Sequence, residues 1–270
     1  QGMIFRIQTA SDHDHFIALV TPLKTDSLKP PVLIAEAGIL WQLPGTVSKS
    51  ADAITWTTPS CTTSLFSTGY SVRDPYLNTA TAYNAYRLIN EIGLSTGRHY
   101  TIAEIKEILK AKSEKLARQK RDYGSLSEMF DAMQSSIAWN TVYDPLNKRV
   151  ITPVSRSWNT WHGGYVLFEW DNYFVAYMCS LFNKKRAYSN AIASTNEITE
   201  AGFIPNFSDA LMKSRDRSEP PVGAFCVWEI YRQYKEKWFL AAVFDKLLTW
   251  NRWWAAKRDI GGLMVYGSNR

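Results

Sequence analysis

Short apolar runs separated by polar turns dominate the first part of the chain, which is the pattern of β-strands. Proline, serine, threonine and aspartate fill the turns, and β-branched residues are frequent within the runs. The four clearest runs lie at residues 3–8, 15–23, 31–43 and 53–58. We therefore predict a β-rich segment over residues 1–75, which is a β-sandwich or part of one.

The spacing of apolar residues then changes to the three-and-four pattern of amphipathic helices. Thr101 and Glu104 have the spacing of a capping box, in which two side chains satisfy backbone N–H groups at the start of a helix. Ser125 and Glu128 repeat that spacing before a second helix. We predict a helical linker over residues 76–123, followed by a helical domain.

The helical domain is predicted to span residues 124–270. After its first helix, further helices are predicted at about residues 170–182, 187–201, 225–231 and 238–254. The last of these is apolar almost all round, so we expect it to be buried on most sides. Long irregular stretches at 140–164 and 203–223 precede two of the helices. Compact domains rarely carry such loops unless the loops have a function.

The composition is that of an ordinary soluble globular protein, with 46% apolar and 21% charged residues. Eleven Trp and fourteen Tyr are unusual, and they indicate a thick aromatic core or a ligand groove. The net charge of +6 is concentrated at residues 106–121. A solvated helix face explains this stretch most simply; a nucleic-acid surface is the alternative, but no recognition motif accompanies it.

The positions of the cysteines and the hydropathy of the chain further restrict the class of protein. Cys179 and Cys226 lie within apolar helical patterns, so we expect buried free thiols rather than disulfides, and no cysteine pair has metal-ligand spacing. No signal peptide and no membrane-spanning apolar run are present. Because the chain starts at Gln1, a soluble protein of the cytoplasm and a secreted or periplasmic one both remain open.

Aromatic residues, an arginine, an asparagine and carboxylates lie together on loops at predicted helix starts. This set suits a polyhydroxylated ligand, because a sugar offers an apolar face for stacking and hydroxyls that carboxylate and guanidinium groups bind strongly. Asp171 has a simpler interpretation, namely a favourable position at the helix amino end worth about 0.3–1 kcal/mol. Trp158, Trp161 and Trp170 are likewise compatible with a core role.

Three stretches carry a family resemblance. "HGGYVLFEWDNYF" (162–174) resembles the trehalase signature, and "FIPN" followed by "SRDRSEPP" (203–221) resembles its companion motif. "YDPLNKRVITPVSRSW" (143–158) resembles glycoside hydrolase family 63 and the mannosylglycerate and glucosylglycerate hydrolases. The resemblance covers about residues 124–270. It implies a mainly α protein, a partial (α/α)6 toroid preceded by a β-sandwich-like segment, and an inverting glycoside hydrolase acting on an α-linked glucoside or mannoside.

The resemblance also implies roles for individual residues. Trp170 and Asp171 match residues that hold the non-reducing sugar, and Asn206 and Arg217 match sugar-binding residues of the second motif. Arg156 and Trp158 are further candidates on the preceding loop. Glu219 stands where trehalases usually have Gln, and an ionised Glu only accepts hydrogen bonds whereas Gln also donates them. The identity of the sugar therefore stays open.

The general acid and general base of these families belong to later motifs, and neither motif occurs in this sequence. The chain is therefore expected to be an amino-terminal portion of such an enzyme, inactive alone, whose barrel a missing carboxyl-terminal part or a neighbouring copy completes. The alternative catalytic pair is Asp171 with Glu219; Asp144 is another acid on a motif loop.

The expected partner is a carbohydrate, with no nucleic acid, membrane, metal or organic cofactor. Two alternative functions are a non-catalytic carbohydrate-binding protein and a basic helical scaffold or nucleic-acid partner.

Overall fold

A computed structural model describes residues 3–25, 31–39, 44–74, 78–79, 81–144, 146–154 and 165–267 of the chain. The chain divides into two compact units, Gln1–Gly124 and Ser125–Arg270, called here the amino-terminal and the carboxy-terminal unit. Helices make up 40% and strands 29% of the described residues. The chain as a whole is therefore mixed, and the predicted mainly α class is not confirmed.

The described part of the amino-terminal unit is built mainly from antiparallel strands. In chain order they are β1 (Ile4–Asp12), β2 (His15–Lys24), β3 (Val32–Ala37), β4 (Thr46–Lys49), β5 (Ala53–Thr58), β6 (Cys61–Ser67), β7 (Ser71–Val72), β8 (Ala82–Arg87) and β9 (Ile92–Thr96). The larger sheet has the order β1-β2-β9-β6-β5-β4, and the smaller one has the order β3-β8-β7. The runs predicted as strands from the sequence correspond to β1, β2, β3 and β5.

The two sheets share one apolar cluster. Val20 and Ile92 come from the larger sheet, while Ala35 and Tyr86 come from the smaller one, and all four are buried together. Alternate residues of a strand point to the same face, so each sheet contributes one face to this cluster. The arrangement has the two-layer character that the sequence predicts for a β-sandwich-like segment.

The predicted helical linker at 76–123 is wrong in its first part. Strands β8 and β9 lie within it, and β9 pairs with both β2 and β6 near the centre of the larger sheet. A central strand is held by neighbours that are distant in sequence, so a five-residue run such as Ile92–Thr96 gives little local signal. The β-rich segment therefore extends beyond residue 75.

Helix α1 (Ile102–Asp122) begins with the predicted capping box. The Thr101 hydroxyl accepts a hydrogen bond from the backbone N–H of Glu104 at 3.2 Å, and the Glu104 carboxylate accepts one from the N–H of Thr101 at 2.7 Å. Ile105 and Leu109 pack against the β2 residues Ile17 and Leu19. Most of the basic side chains of the helix are exposed.

The carboxy-terminal unit consists mainly of helices. In its described part these are α2 (Ser127–Asn140), α3 (Glu169–Ser180), α4 (Lys184–Asn196), α5 (Gly223–Tyr234) and α6 (Lys237–Lys257). Short antiparallel ladders accompany them: β10 (Val142–Asp144) with β11 (Arg149–Ile151), β12 (Leu167–Phe168) with β13 (Phe207–Ser208), and β14 (Asp259–Ile260) with β15 (Leu263–Met264). Helices α3 and α4 form one hairpin and α5 and α6 another; α3 packs against α5, and α4 packs against α6.

The core of this unit is aromatic, and α3, α4, α5 and α6 all contribute to it. The rings of Tyr173 and Trp250 stack with centroids 6.1 Å apart. Gly223, the first residue of α5, lies against both rings, and a Cβ atom there would come within 2.6 Å of Tyr173 Cζ. The close approach of α5 to α3 therefore depends on the missing side chain. Cys179 and Cys226 are buried free thiols, as predicted.

Helix α6 buries one stripe rather than most of its surface, so that expectation is wrong. Its buried residues recur at spacings of three and four, and they are Phe239, Val243, Leu247, Trp250, Trp253 and Trp254. Phe244, on another side, is 59% exposed. The described neighbours of α6 pack against one face only, and for that reason its remaining apolar residues stay in contact with solvent.

Two predicted helix ends also differ from the structure. A 3₁₀ turn, Gly124–Leu126, takes up Ser125, so α2 starts at Ser127 with Leu126 as its N-cap and no capping side chain. Helix α4 stops at Asn196 rather than at residue 201. The N–H of Gly202 then donates to the Thr199 carbonyl, in a turn where Gly202 has a φ of 91°. In the part of the chain that the structure describes, no helix has the length and apolar character needed to cross a membrane.

Candidate functional site

The amino end of α3 is joined to the segment 203–222 by backbone hydrogen bonds. Strand β12 runs directly into α3 and pairs with β13 of that segment. One residue further, the N–H of Glu169 donates to the Asn206 carbonyl at 3.2 Å, and the N–H of Asn206 donates to the Arg217 carbonyl at 3.1 Å. The two sequence motifs centred on Trp170 and on Arg217 therefore meet in space.

Two carboxyl side chains complete the junction by reciprocal bonds. The N–H of Trp170 donates to Glu219 Oε2 at 3.3 Å, and the N–H of Glu219 donates to Glu169 Oε2 at 3.1 Å. Backbone N–H groups in the first turn of a helix have no partner within the helix, so the Glu219 carboxyl satisfies one that would otherwise stay open. Glu169 thus holds the backbone of Glu219, and Glu219 holds the backbone of Trp170, the residue that follows Glu169.

A serine fixes the same segment to the core. Ser218 Oγ donates to the Ile204 carbonyl at 2.5 Å and accepts a hydrogen bond from Trp250 Nε1 at 2.9 Å. Both Ser218 and the indole are buried. Buried polar groups are costly unless they are paired, and these bonds pair the hydroxyl and the indole N–H with each other. The backbone just before Glu219 is therefore anchored to helix α6.

The electrostatics of the junction favour neutral carboxyl groups. Burial raises the pKa of Glu169 to about 10, and the nearby charges of Glu219 and Asp171 act in the same direction. Burial also raises the pKa of Glu219 to about 7, with Asp171 adding to the increase. The hydrogen bond from the Trp170 N–H and the charge of Arg217 oppose that rise. Three carboxyls share one helix end because burial keeps the innermost one protonated.

The predicted sugar-binding residues differ in what their side chains do. Trp170 is 39% exposed in the first turn of α3. The Arg217 guanidinium, 42% exposed, donates to its neighbour Asp216 at 2.6 Å. Asn206 is half-buried, and it bonds to the junction through its backbone N–H and carbonyl. Arg156 and Trp158 lie outside the described residues.

Asp171 is half-buried and lines a cavity of about 230 Å³. Among the described residues, the others that line it belong to α2, α3 and the segment 152–154, and they are Ser136, Ile137, Asn140, Thr152, Pro153, Val154, Phe174, Val175 and Met178. None of the other predicted sugar-binding residues in the described ranges is among them. The structure therefore brings Trp170, Glu219 and the backbones of Asn206 and Arg217 together, with Asp171 facing an adjoining cavity.

Asp144 is fully buried, and both of its carboxylate oxygens accept hydrogen bonds. The carboxylate accepts hydrogen bonds from Tyr165 Oη at 2.6 Å and Arg149 Nε at 3.0 Å, and from Asn147. Burial by itself would raise the pKa of Asp144, but the hydrogen bonds from Tyr165 and Asn147 outweigh burial and hold the pKa below its usual range. Arg149 in turn bonds Glu197 at 2.5 Å. Asp144 therefore anchors the β10–β11 hairpin to α4 through a buried ionic network.

Glu169 was missed by the sequence interpretation. It precedes Trp170 directly and stands at the first position of α3, where an acidic residue is common and favours the helix dipole. Its distinguishing property is burial, since only 2% of the residue is exposed. Burial depends on the packing of the segment 203–222, so the local pattern carried no signal for it beyond a carboxyl inside an aromatic run.

The junction is suited to binding hydroxyl groups. It combines an accessible indole, a half-buried carboxyl that titrates near neutral pH and a guanidinium, all around one helix end. Within the described ranges, no group of three or more His, Cys, Asp or Glu side chains is arranged to hold a metal ion.

A comparison with known protein families gives a match over part of the carboxy-terminal unit. Residues 164–268 match the model of the mannosylglycerate hydrolase MGH1-like glycoside hydrolase domain. The matched range includes Trp170, Asn206, Arg217 and Glu219, and it confirms the predicted resemblance to relatives of mannosylglycerate hydrolase. A match of this kind supports a glycosidase function for the chain.

Proposed function

We propose that the carboxy-terminal unit supplies part of the sugar-binding site of an inverting glycoside hydrolase that cleaves an α-linked glucoside or mannoside. The observation that carries this proposal is the hydrogen-bonded junction of Trp170 with Glu219 at the amino end of α3. The junction lies within the range that matches a glycoside hydrolase domain. It unites two sequence motifs that are separated by a complete helix, α4.

The packing of the helices supports a partial (α/α)6 toroid as the framework. Two helical hairpins stand side by side, with α3 next to α5 in one layer and α4 next to α6 in the other. Repetition of such hairpins around an axis generates a ring of inner helices and a ring of outer helices. In this framework the amino ends of α3 and α5, together with the segment 203–222, form one part of the rim around the sugar.

Four side chains at or beside the junction have a chemical role in this proposal. The exposed Trp170 indole stacks on the apolar face of the sugar ring. Asp171 accepts hydrogen bonds from sugar hydroxyls, and Arg217 donates to them. Because burial raises the pKa of Glu219 to about 7, its protonated form is populated at neutral pH. A protonated Glu219 both donates and accepts, as Gln does at the corresponding position of trehalases.

Replacing Asp171 by Asn tests the binding role. We expect affinity for methyl α-D-glucoside or methyl α-D-mannoside to fall about tenfold or more, because a charge-assisted hydrogen bond is worth about 1.5–3 kcal/mol. The melting temperature should change by less than about 3 °C, because the position of Asp171 at the helix amino end is worth at most about 1 kcal/mol. Isothermal titration calorimetry and thermal unfolding measure the two quantities.

Asp245, exposed on α6, offers a control that removes the same charge from the same unit. Asp245→Asn should leave sugar affinity unchanged. A large loss of stability in Asp171→Asn with unchanged affinity would show that Asp171 only stabilises the helix. Absence of sugar binding by the unsubstituted protein would refute the proposed site.

Replacing Glu219 by Gln separates binding from catalysis. We expect sugar affinity within about threefold of the unsubstituted protein and loss of its pH dependence near pH 7, since Gln has the hydrogen-bonding capacity of a protonated Glu without its titration. The folded-state pKa of Glu219 is raised above the value of 4.5 for an ordinary Glu. Its contribution to stability is therefore complete below about pH 4.5 and is lost as the pH rises through about 7. The Gln variant should accordingly lose less stability over that interval.

The same variant decides between the two catalytic assignments. Inversion requires one carboxyl as general acid and another as general base, about 6.5–9.5 Å apart. The raised pKa of Glu219 is the one observation that favours Asp171 with Glu219 as this pair. Hydrolysis of a 4-nitrophenyl α-glycoside by the unsubstituted chain, abolished in Glu219→Gln while binding persists, would assign Glu219 as the acid. Sugar binding without hydrolysis leaves the acid and base to other residues, or indicates a carbohydrate-binding protein.

A further inference from the structure

Glu169 is the most deeply buried carboxyl of the junction. Its N–H donates to the Asn206 carbonyl, and its Oε2 accepts the N–H of Glu219 at 3.1 Å. Its Oε1 is buried and has no hydrogen-bond partner among the described residues. The side chain therefore reaches from the first turn of α3 into the segment that carries the second sugar-binding motif.

The groups around Glu169 provide no counter-charge. The nearby charges are the carboxyls of Asp171 and Glu219, and both oppose its ionisation. Tyr173 on α3 and Cys226 on α5 are the other titratable groups that interact with it, and both are buried with raised pKa values. None of the ion pairs in the described part of the chain involves Glu169. An ionised carboxylate here would be a buried, unpaired charge, which is far more costly than a neutral acid.

Glu219 occupies the outer position of the same arrangement. Asp171 and Arg217 are the charged groups that act on it, and its own carboxyl accepts a hydrogen bond from the Trp170 N–H. The backbone of Glu219 is fixed by Glu169 on one side and by the buried bonds of Ser218 on the other. The direction in which the Glu219 carboxyl points thus depends on the bond from its backbone to Glu169.

We propose that Glu169 is a positioning residue which, as a neutral buried acid, holds the Glu219 backbone and thereby presents the Glu219 carboxyl to the sugar at the amino end of α3. This inference rests on the proposed function for the role of Glu219. It adds a residue that does not touch the sugar and acts through the one that does. Ionisation of Glu169 would place a second negative charge against Glu219 and weaken that arrangement.

Three variants test the proposal. Glu169→Gln keeps the shape and the acceptor oxygen of a neutral acid, whereas Glu169→Met has a similar length and lacks the acceptor. Ser180→Ala is the matched control, because it removes a buried side-chain hydrogen bond at the opposite end of α3. The readouts are affinity for methyl α-D-glucoside and methyl α-D-mannoside by calorimetry, and the titration midpoint of the Glu219 carboxyl by ¹³C NMR.

Glu169→Gln is expected to keep sugar affinity within about twofold and the Glu219 midpoint within 0.3 pH units of the unsubstituted protein. In Glu169→Met the affinity should fall at least fivefold and the midpoint should move down by more than half a unit, because the released carboxyl becomes better solvated. Ser180→Ala should leave both quantities unchanged. A loss of stability alone does not move the Glu219 titration, so the NMR readout separates positioning from general destabilisation.

The outcomes are separable from those of the proposed function. If the unsubstituted protein binds neither glycoside, the sugar site is wrong, and the Glu219 midpoint alone decides whether Glu169 positions that carboxyl. An unchanged midpoint in a folded Glu169→Met variant would overturn the proposal. If that variant does not fold, Glu169→Gln decides. A shift of the Glu219 midpoint by more than half a pH unit in this variant would overturn the proposal that Glu169 acts as a neutral acid.

Discussion

Substitution of Asp144 by Ala should lower the free energy of unfolding of the carboxy-terminal unit by about 3–5 kcal/mol, the usual cost of removing one partner from a buried ion pair. The Arg149 guanidinium, whose side chain is 12% exposed, would lose its bond to Asp144 while staying inside the protein. Tyr165 and Asn147 would lose an acceptor at the same time. Urea denaturation followed by the near-ultraviolet signal of the aromatic core measures the loss.

Tyr165→Phe is the control for this prediction. It removes the two hydrogen bonds of the Tyr165 hydroxyl, one donated to Asp144 and one accepted from Arg149, and leaves the Asp144–Arg149 pair in place. A loss of about 1–2 kcal/mol is therefore expected. An equal loss in the two variants would mean that the charge pair contributes nothing beyond its hydrogen bonds. Stability of Asp144→Ala close to that of the unsubstituted protein would show that the network is open to water.

Substitution of Gly223 by Ala should cost about 1–3 kcal/mol of stability, although Ala is the better helix former by about 1 kcal/mol. The added Cβ would lie 2.6 Å from Tyr173 Cζ and 3.0 Å from Trp250 Cζ3, and both rings are fully buried. Both rings belong to the buried core, so the added Cβ requires a ring or the start of α5 to shift. Chemical denaturation of the unit gives the magnitude.

Gly38 provides the comparison, because a Cβ there meets nothing within 4 Å. Gly38→Ala should be neutral or slightly stabilising. The double variant Gly223→Ala with Tyr173→Leu should lose less stability than the sum of the two single variants, because the smaller side chain relieves the contact. Strict additivity would mean that the contact between Gly223 and Tyr173 does not limit the packing of α5.

Local patterns were sufficient for elements whose stabilising contacts are close in sequence. The Thr101–Glu104 capping box and the apolar runs of β1 and β2 are readable because each depends on neighbouring residues. Strands β8 and β9 were missed because their neighbours, β3 for β8 and β2 and β6 for β9, are distant. The cap at Ser125 was misassigned because a 3₁₀ turn and an α-helix start share the same local sequence preferences.

In the candidate site, too, only the features that depend on local sequence were predictable. Motif residues such as Trp170 and Glu219 were found from the sequence, and the structure adds the hydrogen bond between them. The importance of Glu169 was not predictable, because its burial and raised pKa come from a segment about fifty residues further along the chain. Asp144 was a candidate acid from the sequence alone, whereas its buried partners make it a structural residue.

The order of strands in the larger sheet has a consequence during synthesis. Strand β2 carries four consecutive buried residues, Ile17 to Val20, and its partner β9 pairs Ile17 with Ser95. A ribosome therefore releases β2 long before β9 exists, and until then this apolar strand has an open edge on one side. Within each helical hairpin, α3–α4 and α5–α6, a short connection joins the two helices. Each hairpin can therefore form from local contacts as it emerges. We therefore expect the chain to aggregate or to bind chaperones mainly while the amino-terminal unit is being synthesised.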